Sequence, residues 1–425
     1  MAADFRNRFD RIVRYILNIG QLNIEFLICF LHVKLLKNKK GACKMNKIKV
    51  TNQSGAASQE NKQMYFQALQ EAIDIVEKNL DAFSDTFPHV SKNNHYEPEK
   101  NALWTASFYP GMCCLAYELT EDPKFLKNQD KVLDSFEERL QKRIHITHDL
   151  GFLYTLSCVS LYKLTGNQRA EQIAKKAVTM LAERYHEKGK YIQAWGEMGI
   201  GYPDVKIIID CMLNLPLLYW SGNEKYIKMA ENHADTAAKY LIRPDYTSYH
   251  TYLMNPETGE GVCGKTHQGY EDESTWARGQ AWAVYGFALS YRYTKKEKFL
   301  QIAKETAEIF IRNLPSDFVP YWDFTFSDEK PDIRDTSAGA IFVCGILELC
   351  NYVSKEESKN YLSIAEDIIQ NLYKSYTTKN IADSNGILRE GMYHRDDGAG
   401  ECVIWGDYFY MEALVRLVSD WNPYW

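Results

Sequence analysis

The chain has 425 residues, 45% hydrophobic and 25% charged, an ordinary composition for a folded globular protein. A net charge of −6, a pI near 6.0 and the absence of a basic stripe exclude nucleic acid as a partner. The 29 Tyr, 19 Phe and 9 Trp supply flat faces that fill a large core, and the same faces suit stacking on sugar rings.

The first element in the chain is a leader. Residues 12–36, "IVRYILNIGQLNIEFLICFLHVKLL", are apolar but broken by Asn18, Gln21, Asn23 and Glu25. A stable membrane span needs about 20 consecutive mostly apolar residues, and a secretory signal needs a short clean apolar core. The segment therefore reads as a structural or non-native leader, with a degenerate export signal at residues 1–43 as the alternative. Residues 50–60, "VTNQSGAASQE", have the composition of a disordered linker. Residues 1–60 are thus leader and linker, and 61–425 carry the fold.

From residue 61 the pattern is helical. Five polar connections each open a helix: "LTEDPKFLKN" at 119, "LTGNQRAEQIAKKA" at 164, "SGNEKYIKMAENHA" at 221, "TKKEKFLQIAKETA" at 294 and "SKEESKNYLSIAEDI" at 354. Four of them place Ala174, Ala230, Ala303 and Ala365 at matching positions, a spacing of about two helices. Each connection follows a more apolar helix, at 103–118, 149–163, 205–220, 278–293 and 337–352. Alternating buried and amphipathic helices on short loops predict stacked helical hairpins. The last helix, 405–419, pairs with the first, 61–80, to complete a sixth hairpin. The predicted fold is all-α, an (α/α)6 barrel; an open solenoid is the alternative.

Ten cysteines contain no CxxC pair and no metal-ligand spacing. Several lie inside apolar helical runs, which predicts buried free thiols and a reducing, cytoplasmic compartment. A periplasmic location is the alternative if residues 1–43 act as an export signal. No HExxH spacing occurs, so no metal is expected.

Polar and aromatic residues cluster just before the inner helices. Asp149 in "HDLGF" opens one of them, where an Asp is ordinarily an N-cap; catalysis is the competing role. Asp210 is predicted to lie inside the apolar helix 205–220, among Ile207, Ile208, Ile209, Met212 and Leu213. A lone carboxylate there is costly unless it is paired, hydrogen-bonded or used with a shifted pKa. His148 is a candidate donor beside it. Two carboxylates entering one pocket suit acid/base work on a glycan. In "STWARGQAWAVYG", Trp276, Arg278 and Trp282 combine indoles with a guanidinium; the bland reading is core packing, with Arg278 bridging Asp272 or Glu273. Trp104 and Trp195 sit in matching loops. His250 and His267 read as loop residues, for which simple solvation competes with a site role.

The segments "HDLGF", "KIIIDCMLNL", "THQGY…STWARGQAWAVYGF", "DTSAGAI" and "WGDYFYMEAL" occur in the order seen in unsaturated glucuronyl hydrolases of glycoside hydrolase family 88, which the chain resembles from about residue 61 to 425. The resemblance implies an (α/α)6 barrel without cofactor. It implies a hydrolase that removes 4,5-unsaturated glucuronic acid from the non-reducing end of lyase-generated, glycosaminoglycan-type oligosaccharides by hydrating the double bond. Asp210 then matches the general acid/base and Asp149 the second essential acid. Trp104, His148, Trp195, His250, His267, Gln268, Trp276, Arg278 and Trp282 form the substrate-binding set. The expected partner is the unsaturated oligosaccharide alone, with neither nucleic acid nor a stable membrane span, for a monomer or dimer. The alternatives are an unsaturated rhamnogalacturonyl hydrolase acting on pectin fragments, an epimerase on the same barrel, for which the inner helices lack the histidine pair, and a non-catalytic glycan-binding barrel.

Overall fold

A computed structural model describes residue 48, residues 59–201 and residues 203–425. The leader and nearly all of the linker lie outside those residues. Helix α1 (Gln59–Asn79) is followed by α2 (Phe108–Thr120) and α3 (Gln129–Gln141). Helix α4 (Leu150–Tyr154), a π-helical turn (Thr155–Val159) and α5 (Ser160–Thr165) make one rod, and α6 (Gln168–Ala182) follows. A 3-10 turn (Ile209–Leu213) leads into α7 (Pro216–Trp220) and α8 (Glu224–Tyr240). The chain continues through α9 (Ala277–Thr294), α10 (Glu297–Arg312), α11 (Thr336–Leu349), α12 (Lys355–Asn371) and α13 (Ile404–Val418).

Burial divides these helices into two layers. Every residue of α11 is buried, as are Ala277–Ser290 of α9, so both are surrounded by protein. Outer helices bury one stripe only: α10 hides Phe299, Ala303, Thr306, Ala307 and Phe310, and α6 hides Ala170, Ile173, Ala174, Ala177, Val178 and Leu181. The repeat alanines Ala174, Ala230, Ala303 and Ala365 are all fully buried, the small contacts by which outer helices seat on inner ones. Helix α13 packs against α11, α1 and α2, which closes the ring. The polar connections act as caps. Asn167 accepts from the Ala170 N–H, Asn223 from the Lys225 N–H, and Ser354 with Glu357 forms a reciprocal capping box. Each such cap is worth about 1 kcal/mol.

The predicted helix 205–220 is not one helix, and this corrects the setting expected for Asp210. Lys206–Ile208 is a strand, Ile209–Leu213 is a 3-10 turn, and helical geometry resumes only at Pro216. The β-branched run at Val205 and Ile207–Ile209 favours extended backbone. Pro216 lacks an N–H and suits the first turn of a helix, not its interior. The strand, β3, lies in a small antiparallel sheet with β4 (Thr251–Met254) and β5 (Gly261–Lys265), its partner supplied by residues some forty positions later. Two further two-stranded ribbons, β1–β2 (Tyr185–His186, Tyr191–Ile192) and β6–β7 (Gly391–His394, Asp397–Glu401), lie in other loops.

The barrel is closed at the end where the inner helices finish. Glu118 accepts from the Trp421 indole and the Tyr424 hydroxyl, and Lys163 donates to the Pro423 and Tyr424 carbonyls. Trp425 is buried, stacked on Phe409, and donates its indole N–H to Glu412. The opposite end, where the inner helices start, is the open one.

Candidate active site

At the open end the side chains form one connected group. Trp104 lies 4.9 Å from Trp405 and 5.7 Å from Phe152, ring centre to ring centre. The Arg278 guanidinium sits 4.3 Å over Trp276 and 5.3 Å over Trp405. Trp276 is 4.4 Å from His250, which faces His267, and His267 meets the edge of Trp195 at 5.3 Å. Lys206 stands 5.5 Å over Trp195. Backbone bonds hold the loops in this order: His148 N–H donates to Ala194 O, Ala194 N–H to Lys206 O, and Ile209 N–H to His250 O.

Asp149 occupies the N-cap position of α4, but its side chain caps nothing. Its Oδ2 accepts from the Thr147 hydroxyl at 2.9 Å, and its Oδ1 is 3.4 Å from His148 Nε2. Asp210 is the second residue of the 3-10 turn. Burial pushes its pKa up to about 7; the Arg278 charge opposes this and the Asp149 charge adds to it. The residue is partly exposed, yet its Oδ1 is shielded and has no hydrogen-bond partner among the described residues. A second buried acid shows what a structural carboxylate looks like in this fold. Burial also raises Asp407 to about 7, but its oxygens accept from the Tyr96 hydroxyl and the Ile387 and Leu388 N–H groups. Asp407 ties loops together, whereas Asp210 Oδ1 has no such partner among the described residues.

Further buried atoms without a partner among the described residues are His148 Nδ1, His250 Nε2, Trp276 Nε1 and Trp282 Nε1. A buried polar atom without a partner costs about 1–3 kcal/mol, and such groups are rare in native proteins. For His250 the tautomer follows from its neighbours. Nδ1 accepts the N–H groups of His267 and Gln268 at 3.0 and 3.1 Å, so the proton is on Nε2. Burial holds its pKa well below the ordinary value, so the ring is a neutral, fixed N–H donor. This replaces the solvated-loop reading of His250, which is only 3% exposed; His267 is exposed.

Arg278 is placed otherwise than expected. Its ion-pair partner is neither Asp272 nor Glu273 but Asp335, at 2.5 Å, with both side chains buried. The same guanidinium donates to the Met392 and Tyr393 carbonyls. Asp272 instead pairs with Lys265. Asp335 also caps α11 through the Ser337 and Ala338 N–H groups, so one carboxylate orders a helix start and fixes Arg278. Gln268 donates to Tyr393 O at 2.8 Å, which ties the β5 loop to the β6 ribbon. The Trp282 ring is fully buried, 5.4 Å from both Phe152 and Phe409. Asp335, Tyr393 and Trp405 were missed as site residues. Asp335 had a signal: a buried Arg requires a buried acid, and "DTSAGAI" supplies one at an inner-helix start.

The Glycosyl Hydrolase Family 88 model matches residues 75–417. The unsaturated chondroitin disaccharide hydrolase of Streptococcus pyogenes serotype M1 is 42% identical over 371 residues, 84% of this chain and 92% of that protein. The crystal structure of the unsaturated glucuronyl hydrolase of Bacillus sp. GL1, described as responsible for the degradation of glycosaminoglycan, superposes with a TM-score of 0.80. It is 39% identical, over 83% of this chain and 97% of that one. An aspartate-to-asparagine mutant of the Streptococcus agalactiae unsaturated glucuronyl hydrolase, complexed with dGlcA-GalNAc6S, gives a TM-score of 0.76 at 35% identity, over 89% of this chain and 98% of that one.

Proposed function

Because this chain belongs to glycoside hydrolase family 88, we propose that it is an unsaturated glucuronyl hydrolase that acts on unsaturated disaccharides and short oligosaccharides released from glycosaminoglycans by lyases. The observation that carries this reading is Asp210: a carboxyl raised to about 7 by burial, with an unpartnered oxygen, beside a second acid. The substrate is a vinyl ether, and its hydration needs a group that first gives a proton and then takes one back. Asp210 as carboxylic acid protonates C4, and positive charge develops at C5 and the ring oxygen. The Asp210 carboxylate then takes a proton from the water that adds to C5. The resulting hemiketal opens, C1 releases the remaining chain, and Asp210 is again protonated. One water is consumed and no covalent enzyme intermediate forms. Asp149 steadies the sugar hydroxyls, and its charge helps keep Asp210 protonated.

The other groups follow their geometry. His250 Nε2–H and the Trp276 N–H are donors toward the sugar, Trp104 and Trp195 are walls, and His267 and Gln268 line the β5 loop beside them. His148 orients Asp149. Arg278 acts on Asp210 by charge and holds the loops in place. The C-terminal residues cover the far end of the barrel, which fits entry of a chain by its terminus and removal of the terminal sugar. The buried unpaired thiols of Cys113, Cys114, Cys158, Cys211, Cys344 and Cys402 support a reducing, cytoplasmic compartment. Among the described residues no helix is long and apolar enough to cross a membrane.

The test is loss of the double bond's ultraviolet absorbance with chondroitin-lyase disaccharides against rhamnogalacturonan-derived ones. Turnover of the first and not the second is expected; the reverse would favour the pectin reading. A pH profile gives a second check. Asp210 must start protonated, so kcat/KM should fall as pH rises through about 7. A flat profile from pH 6 to 9 would contradict the assignment.

A further inference from the structure

Asp149 and Asp210 come from different inner segments, and their separation is set where α4 crosses the 3-10 turn. At that crossing Gly151 has no room for a side chain: a Cβ would lie 2.2 Å from Asn214 Cα and 2.3 Å from Asn214 O. The neighbouring Phe152 N–H donates to Asn214 Oδ1 at 2.6 Å, and Asn214 Nδ2 donates to the carbonyl of Asp210 at 3.3 Å. The Asn214 N–H itself bonds to Cys211 O at 2.8 Å, inside the turn that carries Asp210. Asn214 is fully buried, so no water substitutes for either arm. The partners also fix its amide orientation, since an N–H faces the oxygen and a carbonyl faces the nitrogen.

We propose that Asn214 is a positioning residue for the reaction: with Gly151 it clamps the backbone of α4 to the Asp210 turn and so sets the distance and orientation of the two carboxylates. This rests on the assignment of Asp210 and Asp149 above. The clamp spans three residues on one side, from Asp149 to Phe152, and four on the other, from Asp210 to Asn214. Any slip of α4 therefore moves one carboxylate relative to the other. The charged and titratable groups that bear on Asp210 are Asp149, Arg278 and the adjacent Cys211, with neutral His250 held beside its turn. Of these, Asp149 is the one the clamp moves.

The experiment compares wild type, Asn214→Leu, which keeps the volume and loses both arms, and Asn214→Ser, which removes the reach to Asp210 without adding bulk or charge. Turnover of an unsaturated chondroitin disaccharide is measured across pH, with melting temperature alongside. A displacement of about 1 Å between reacting groups can cost on the order of 10²-fold. Asn214→Leu is therefore expected to lose about 10²-fold in kcat with KM within about threefold. Its alkaline limb should move to lower pH, because Asp149 retreats and water reaches Asp210. Asn214→Ser should move in the same direction by less, and it decides alone if the Leu variant does not fold. Wild-type kcat and an unmoved alkaline limb, with only the melting temperature lowered, would overturn the proposal. An inactive wild type would instead overturn the function assigned above. An active wild type with a dead Asp210→Asn and normal Asn214 variants would overturn the clamp alone.

Discussion

Asp210→Asn is expected to lower kcat/KM on an unsaturated disaccharide by about 10²–10⁴-fold, the range for removing a general acid/base. The loss should lie mainly in kcat, because the amide keeps the shape of the group and cannot deliver the proton. Stability should behave in the opposite way. The folded-state pKa of Asp210, about 7, is above the ordinary carboxylate value, so the folded protein binds a proton that the unfolded chain has released. That difference costs stability progressively as pH rises from about 4 to 7, and the cost is complete above 7. Asp210→Asn removes it, so the variant should melt no lower than wild type at pH 8 and with a smaller gap, or none, near pH 4. A variant both inactive and strongly destabilised at pH 8 would make Asp210 a structural residue like Asp407.

Arg278→Lys should show the reverse balance. The guanidinium is buried, paired with Asp335, and hydrogen-bonded to two carbonyls of the β6 ribbon. A lysine keeps the charge but not the planar fork, and it cannot meet three acceptors in that plane. Removing one partner of a buried pair typically costs about 3–5 kcal/mol, which is the upper bound for a lysine that keeps the charge and loses the geometry. For a chain of this size that is about 3–6 °C in melting temperature. Asp335→Asn should cost a similar amount, and the double variant less than the sum of the two, since both break one interaction. The effect on kcat should be secondary and act through Asp210, whose pKa the Arg278 charge holds down. A large rise in KM with unchanged melting temperature would instead place Arg278 directly on the sugar.

The barrel was legible because its two layers differ in pattern. Runs such as Thr336–Leu349 are apolar on every face, and outer helices such as Glu297–Arg312 carry one apolar stripe. Asn167, Asn223 and Ser354 marked helix starts by chemistry that works locally. The segment holding Asp210 was misread because hydrophobicity alone does not separate a buried strand from a buried helix. Pro216 and the β-branched Ile207–Ile209 run were the available corrections. The strand partner, Thr251–Met254, is a tertiary choice with no local signature.

In the site, residue identity was easier to read than residue role. Asp149 stood out as an acid at an inner-helix start and Asp210 as a carboxylate inside an apolar run, and the family resemblance supplied their roles. Arg278 was legible as a buried cation, but its partner Asp335 lies 57 positions away. Nothing in the local spacing distinguishes it from Asp272 or Glu273. Trp282 shares a helical face with Arg278 and so read as a wall of the pocket. It faces Phe152 and Phe409 because α9 is covered on every side, which a single helix cannot reveal about itself.

The account turns on the substrate's double bond, and one comparison tests it directly. The folded enzyme is given two chondroitin disaccharides identical except at C4 and C5 of the terminal uronate, one unsaturated and one saturated, and release of the hexosamine is followed for both. Hydration by Asp210 predicts that the unsaturated disaccharide is split with loss of its ultraviolet absorbance while the saturated one is left intact. Release of hexosamine from both at similar rates would contradict it and mark the two carboxylates as a conventional glycosidase pair.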